Sequence, residues 1–245
     1  MDFFDCNCMT GRSGQPLPGQ FHTADDLERE LDRCGISRAL VFHALAKELD
    51  PALGNAALTR DLAGRERLMP CWVVMPDHTG EMPPPDELCD RMAQAGVRAV
   101  RLFPQMHSFS LSEWCSGELL GALEARRVPV FIDHDQTNWD EVDRICAAHP
   151  GLPLVLLRPN YRVHRSLYPL FERHANLHIE IGIYVAHNAI ADCARRFGAE
   201  RMLFGSALPH YTPGGPIANI MYSEISDAEK ALIAGGNLRR LLGEA

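Results

Sequence analysis

The chain has 245 residues, 46% hydrophobic and 23% charged, with a formal net charge of -8. That composition describes a globular protein able to bury a large core, and it excludes a disordered chain. An acidic balance with basic residues scattered singly offers no footprint for nucleic acid or an anionic membrane, and no apolar run reaches membrane-spanning length.

Short apolar runs alternate with amphipathic ones along the chain, the rhythm of βα units feeding a parallel sheet buried on both faces. Strands are predicted over residues 3–8, 38–43, 68–74, 97–103, 128–134, 154–158, 178–183 and 201–205. Between them the 3.6-residue period predicts helices over 24–34, opened by Thr23 as N-cap, then over 51–64, 86–95, 116–127, 139–149, 166–174 and 186–197. A last helix over 227–242 is opened by Ser226, with Glu229 completing a capping box. Eight such units in a chain of this length fit one (β/α)8 TIM barrel spanning residues 1–245. An open doubly wound sheet is the alternative, but it usually has a glycine-rich phosphate loop after its first strand, and Met9-Thr10-Gly11-Arg12-Ser13-Gly14 is a poor match to one. The stretch Thr212-Pro213-Gly214-Gly215-Pro216 reads as a turn-rich loop beside the barrel mouth. Eight cysteines without a CxxC pair read as reduced thiols. With no basic and apolar leader pattern at residues 1–5, a cytoplasmic protein is expected.

The segment Met202-Leu203-Phe204-Gly205-Ser206-Ala207-Leu208-Pro209-His210, with Gly235-Gly236-Asn237-Leu238-Arg239-Arg240-Leu241-Leu242 after it, closely resembles the eighth strand and final helix of the amidohydrolase-related barrels. Those read FGSDxP and then GNAxRLL. Weaker likenesses run in the same order: Asp5-Cys6-Asn7-Cys8-Met9-Thr10-Gly11 to a first strand DxHxHxG, Val128-Pro129-Val130-Phe131-Ile132-Asp133 to a fifth, and His149-Pro150 through Leu157-Arg158 to a sixth. The resemblance implies a barrel with its site at the C-terminal mouth, where histidines of strands one, five and six and an aspartate of strand eight hold divalent metal that activates water. Hydrolases and some decarboxylases share the pattern. Carried over by position, those ligands become Asn7, Met9, Asp133, Arg158 and Ala207. Only Asp133 is a good hard donor, so no metal is expected, and a zinc-like ion would need a rebuilt site. A register one residue away would bring Cys6 and Cys8, which strand alternation puts on one face, to the histidine positions. Thiols packed as small hydrophobes are the preferred reading.

The expectation that follows is a guanidinium in place of the metal, with Arg158 facing Asp133. Arg101 on the fourth strand and Glu180 on the seventh extend that network by alternation, and Asn7 and Tyr184 complete the substrate-binding candidates. Asp133, His134 and His210 are the catalytic candidates, with Asp135 beside His134, because they lie at or beyond the ends of strands five and eight. The partner expected is a small, anionic molecule, and a homo-oligomer is compatible with the sequence. The function implied is a metal-free hydrolase or decarboxylase-like lyase acting on a carboxylate-bearing or cyclic compound. A catalytically inactive barrel that binds a small anion or a protein partner is the alternative.

Overall fold

The computed structural model describes residues 1–244. The first strand, β1 (Phe3–Thr10), is buried at every position and pairs in parallel with β2 (Ile36–His43). β2 pairs with β3 (Leu68–Pro70), and a second ladder runs through β4 (Trp72–Val73), β5 (Val100–Leu102), β6 (Val130–Asp133), β7 (Leu154–Leu157), β8 (Leu177–Glu180) and β9 (Met202–Leu203). Only Cys71 separates β3 from β4. Its N–H donates to the Val41 carbonyl at 2.7 Å, and the next N–H, of Trp72, to Ala99 at 3.3 Å. One barrel strand thus changes partner halfway, which joins the two ladders. The other seam closes where Cys6 N–H donates to Phe204 (3.0 Å) and Met9 N–H to Leu208 (2.9 Å). Asp5 holds this seam, its Oδ1 accepting the N–H groups of Asn7 and Ser206 at 3.0 Å each. Eight strands therefore close into a barrel, as the βα count predicts.

Alternation divides the wall into two apolar layers. Phe4, Cys6, Met9, Phe42, Val73, Phe103, Phe131 and Leu157 form the interior cluster. Cys8, Val41, Leu102, Ile132 and Leu156 pack outward against the helices. A register shift between Asp5 and Cys8 breaks the alternation in β1, so Cys6 and Cys8 lie in different layers instead of sharing a face. Burial pushes both thiols far above the ordinary range, which leaves them packing groups.

The ring of helices is α1 (Ala24–Cys34), α3 (Pro51–Asp61), α4 (Pro85–Gln94), α5 (Glu113–Ala125), α6 (Trp139–Ala148), α7 (His164–Arg173) and α8 (Ala189–Phe197), with a short α2 (Ala44–Glu48) before α3. Thr23 caps α1 and Ser226 with Glu229 forms the capping box of α10 (Asp227–Ala231), as expected. The last helix is not continuous: a π-helical turn over Leu232–Gly236 leads into α11 (Asn237–Leu241). Its residues explain the tail motif. A Cβ on Gly235 would lie 2.7 Å from the Asp2 carbonyl oxygen, and Asn237 Nδ2 donates to the carbonyls of Ala199 and Met202 at 2.8 Å, bolting the foot of β9. The 212–216 stretch, expected as a loop, runs into the helix α9 (Gly214–Met221). Among the described residues no helix is long and apolar enough to cross a membrane.

Helix α2 was not anticipated, because five residues are too few to show a period. It is wedged in place: a Cβ on Gly54 of α3 would come within 2.1 Å of the Ala46 nitrogen, while Asn55 clasps Val73 through both its N–H and carbonyl (2.9 and 2.8 Å). Gly54→Ala should therefore destabilise the protein by about 1–3 kcal/mol or more in denaturant unfolding, the usual cost of overpacking. A wild-type midpoint in that variant would show that the two helices are not in contact there.

Candidate functional site

Parity places Ala99, Arg101 and Phe103 on the inner face of the fourth barrel strand, with Phe131 and Asp133 on that of the fifth. At the top of the interior the Arg101 guanidinium donates from Nη2 to both Asp133 oxygens (2.8 and 2.6 Å) and from Nη1 to Asn7 Oδ1 (2.8 Å). It lies 4.2 Å from the Phe42 ring centroid and 5.0 Å from that of Phe103. Both members of the ion pair are 5% exposed. Burying such a pair is costly and is compensated only by good geometry, which the forked contact and the two ring faces supply. Arg101 Nε and Asn7 Nδ2 remain buried without a partner.

The pairing expected for Arg158 is thus made by Arg101. The reason is backbone geometry: Arg158 follows β7 in the left-handed region (φ 55°), and its guanidinium turns to the Tyr211 hydroxyl (3.2 Å) and ring (5.3 Å). Its N–H donates to Glu180 Oε2 at 2.9 Å. Ala207, beyond β9, is also left-handed at φ 57°. Such residues are costly for non-glycine side chains and gather at functional sites.

Arg158 and Ala207 flank a pocket of about 170 Å³ that also meets Glu180, Ser206, Tyr211 and Thr212. Glu180 is fully buried in its floor, and its Oε1 accepts the Gly182 N–H. A Cβ on Gly205 would fall 2.5 Å from Glu180 Cγ, so glycine there makes room for the carboxyl group. Burial raises the pKa of Glu180 to about 8, with the Asp5 and Asp133 charges adding to it against the two backbone donors. Asp5 is likewise lifted by burial to about 6. The Glu180 carboxyl group thus stands at the edge of the cavity with its proton affinity raised.

The remaining candidates separate. His210 stands between the rims of strands eight and one, its Nδ1 2.7 Å from Gln20 Nε2. Gln20 Oε1 accepts the Leu17 N–H (2.8 Å), which fixes the amide orientation and makes Nε2 the donor. The imidazole therefore keeps its proton on Nε2 and offers a donor there. Burial and the charges of Lys47, Arg158 and Arg101 hold its pKa down, so it stays neutral. His134 stacks on Trp139 at 5.0 Å, and Asp135 is exposed beside it. Tyr184 is a correction: it is fully buried, its ring against His164 at 5.1 Å, and belongs to the outer core instead of the pocket.

One residue of the mouth was passed over. Lys47, on α2, is half-buried with its ammonium 5.3 Å from the Phe103 ring centroid, and its carbonyl accepts from His107 Nε2 at 2.9 Å. The signal was present, since Lys47 and Lys230 are the only lysines in a chain that otherwise uses arginine. It needed α2 to become legible.

A model of the amidohydrolase family matches residues 12–243. No curated protein matches the chain. Among solved structures, an uncharacterised TIM-barrel protein of Bordetella bronchiseptica superposes with a TM-score of 0.78 at 17% identity, covering 100% of this chain and 99% of that one. A probable 2-pyrone-4,6-dicarboxylic acid hydrolase of Acinetobacter baumannii, solved with citric acid bound, gives 0.73 at 14% identity over 99% and 100%. A dihydroxybenzoic acid decarboxylase of a Polaromonas species, holding manganese and the inhibitor 2-nitroresorcinol, gives 0.69 at 15% over 99% and 97%. At these identities the likeness is one of fold.

Two predictions follow from the buried charges. Arg101→Leu should cost about 3–5 kcal/mol in chemical denaturation by stranding Asp133, and Arg101→Leu with Asp133→Leu should recover part of that loss. A double variant no better than the single one would mean that Asp133 is stabilised by something else. Glu180, whose native pKa lies above its ordinary 4.5, binds an extra proton in the folded state between that value and about 8. Its contribution to stability is therefore full at low pH and falls as pH rises through this window. Glu180→Gln, which lacks one acceptor and is less stable throughout, should flatten the pH slope by up to about 1.4 kcal/mol per pH unit. Parallel slopes would show that Glu180 is ionised.

Proposed function

The chain belongs to the amidohydrolase family, and on that premise we propose that it takes a small carboxylate-bearing molecule at the C-terminal mouth and acts on it as a hydrolase or decarboxylase without a divalent ion. The state of the oxygen donors carries this reading. Of the positions where the family holds metal, only Asn7 and Asp133 offer oxygen here, and Arg101 uses Asn7 Oδ1 and both oxygens of Asp133. Met9 supplies a soft thioether, Ala207 no donor, and Arg158 a positive charge. Among the described residues no three of His, Cys, Asp and Glu converge as a metal cluster would need. This donor set does not fit zinc or manganese.

What the mouth has in place of a cation is a set of fixed positive and donor groups. Arg158, braced by Tyr211, anchors the substrate carboxylate by a charge-assisted contact. His210 adds a neutral N–H. Glu180, on the pocket floor, is the proton donor: a carboxylic acid kept neutral by burial can protonate a leaving group or a carbon that has lost carbon dioxide. Asp133 and Asn7 act through Arg101, holding its guanidinium as a fixed charge under the reacting molecule. The hydrolase with citric acid bound supports a carboxylate ligand by analogy of fold only. The closed contact of Arg101 with Asp133 also favours a second reading, a barrel that binds its anion without turnover, because neither group is free to exchange a proton.

Calorimetric titration with citrate and with hydroxybenzoates tests the proposal. At least one of them should bind, and Arg158→Met should weaken it about tenfold or more, the loss of one charge-assisted contact. Equal affinity would remove Arg158 from the site, and a stoichiometric metal in protein purified without chelator, lost on Asp133→Asn, would overturn the metal-free reading. Binding with no product from any member of the series would decide for the second reading.

A further inference from the structure

The mouth contains a cation that the reading above does not use. Lys47 has its ammonium 5.3 Å from the centre of the Phe103 ring, the same ring that covers Arg101. It forms no salt bridge and no side-chain hydrogen bond among the described residues, although the side chain is half-buried. Among the described residues no carboxylate contacts the ammonium; burial and the Arg101 charge disfavour it and the Phe103 ring face favours it, so the amine is left without an ionic partner. The backbone beneath it is unusually constrained: His107 Nε2 bonds the Lys47 carbonyl at 2.9 Å, and Gly54 of α3 abuts Ala46, one residue away. A lysine that only solubilised the surface would not need that support.

We propose that Lys47 is the reactive amine of this site and captures the carbonyl carbon of an oxo acid as an imine. This rests on the carboxylate-binding reading above and narrows its substrate class. The amine adds to the ketone or aldehyde carbon, a C–N bond forming as the carbonyl π bond opens, and the hydroxyl so formed takes a proton from solvent and leaves as water, giving the protonated imine. Where the bound carboxylate is β to that carbon, the bond to it breaks, carbon dioxide leaves, and the electron pair passes into the protonated imine to give an enamine. A proton from water then goes to carbon, and water hydrolyses the imine, returning the amine and the ketone or aldehyde. No oxidant, reductant or metal enters the balance.

The charged groups facing Lys47 act in both directions. Burial and Arg101 lower its pKa, while Asp133, Glu48 and Asp135 oppose them. The neutral His210 lies within reach of the same field.

The two lysines make the test internal to one molecule, with Lys230 on α10, outside the barrel, as the reference. The full chain is treated at pH 7 with cyanoborohydride and either formaldehyde or glyoxylate, the smallest oxo acid, and modification is read by peptide mass. The α-amine of Met1 is scored separately. Lys47 should be modified several-fold faster than Lys230 by formaldehyde, and faster still by glyoxylate. Arg158→Met should remove only the extra preference for glyoxylate. Equal rates for both lysines with both reagents would overturn the inference. A preference seen with formaldehyde and absent with glyoxylate would overturn the oxo-acid assignment, while the carboxylate reading itself stands or falls with the titration of citrate and hydroxybenzoates.

Discussion

A barrel interior accommodates only as much ionic charge as it can pair, and one guanidinium sets that limit here. Arg101 is the cation that enters the top of the interior, and it is matched by a single carboxylate, Asp133. Asp5 and Glu180 lie within the field of the same region and have no cation of their own in contact. Burial drives both towards the protonated form, and Glu180 also meets the charges of Asp5 and Asp133. The raised pKa of the pocket acid is thus chiefly a consequence of its burial, with the two neighbouring carboxylates adding to it.

Asn7, Phe42, Phe103 and Asp133 all hold Arg101, while Arg158, His210 and Tyr211 stand further out, on segments that follow the strands. Arg158 and Ala207 adopt left-handed backbone at two of those ends, and α2 holds Lys47 beside the Phe103 ring. This is the usual division of labour in such barrels, with a rigid wall below and variable chemistry on the C-terminal loops.

The barrel was legible in the sequence because each βα unit repeats the same pattern and because the tail motif has a packing reason, Gly235 against Asp2 and Asn237 on the foot of β9. Strand parity also placed Arg101, Asp133 and Glu180 on the inner face. It could not identify which arginine pairs with Asp133, since the outcome depends on a left-handed residue at position 158 that no propensity forecasts. The bulge in β1 defeated alternation in the same way and parted Cys6 from Cys8. Tyr184 was placed by its position after a strand, but the chain turns back there and buries the ring. Lys47 was missed because its meaning lay in a five-residue helix without a period of its own.

The contacts that close the barrel have a bearing on how the molecule comes into being. The first strand meets Phe204 and Leu208 along its free side and lies under Gly235 near its start. During synthesis, β1 therefore leaves the ribosome long before those neighbours exist. Its apolar edge stays unpaired until residues well past 200 have been made, so this wall can close only late in translation or after it, and the nascent chain is exposed to wrong strand pairing in the interval.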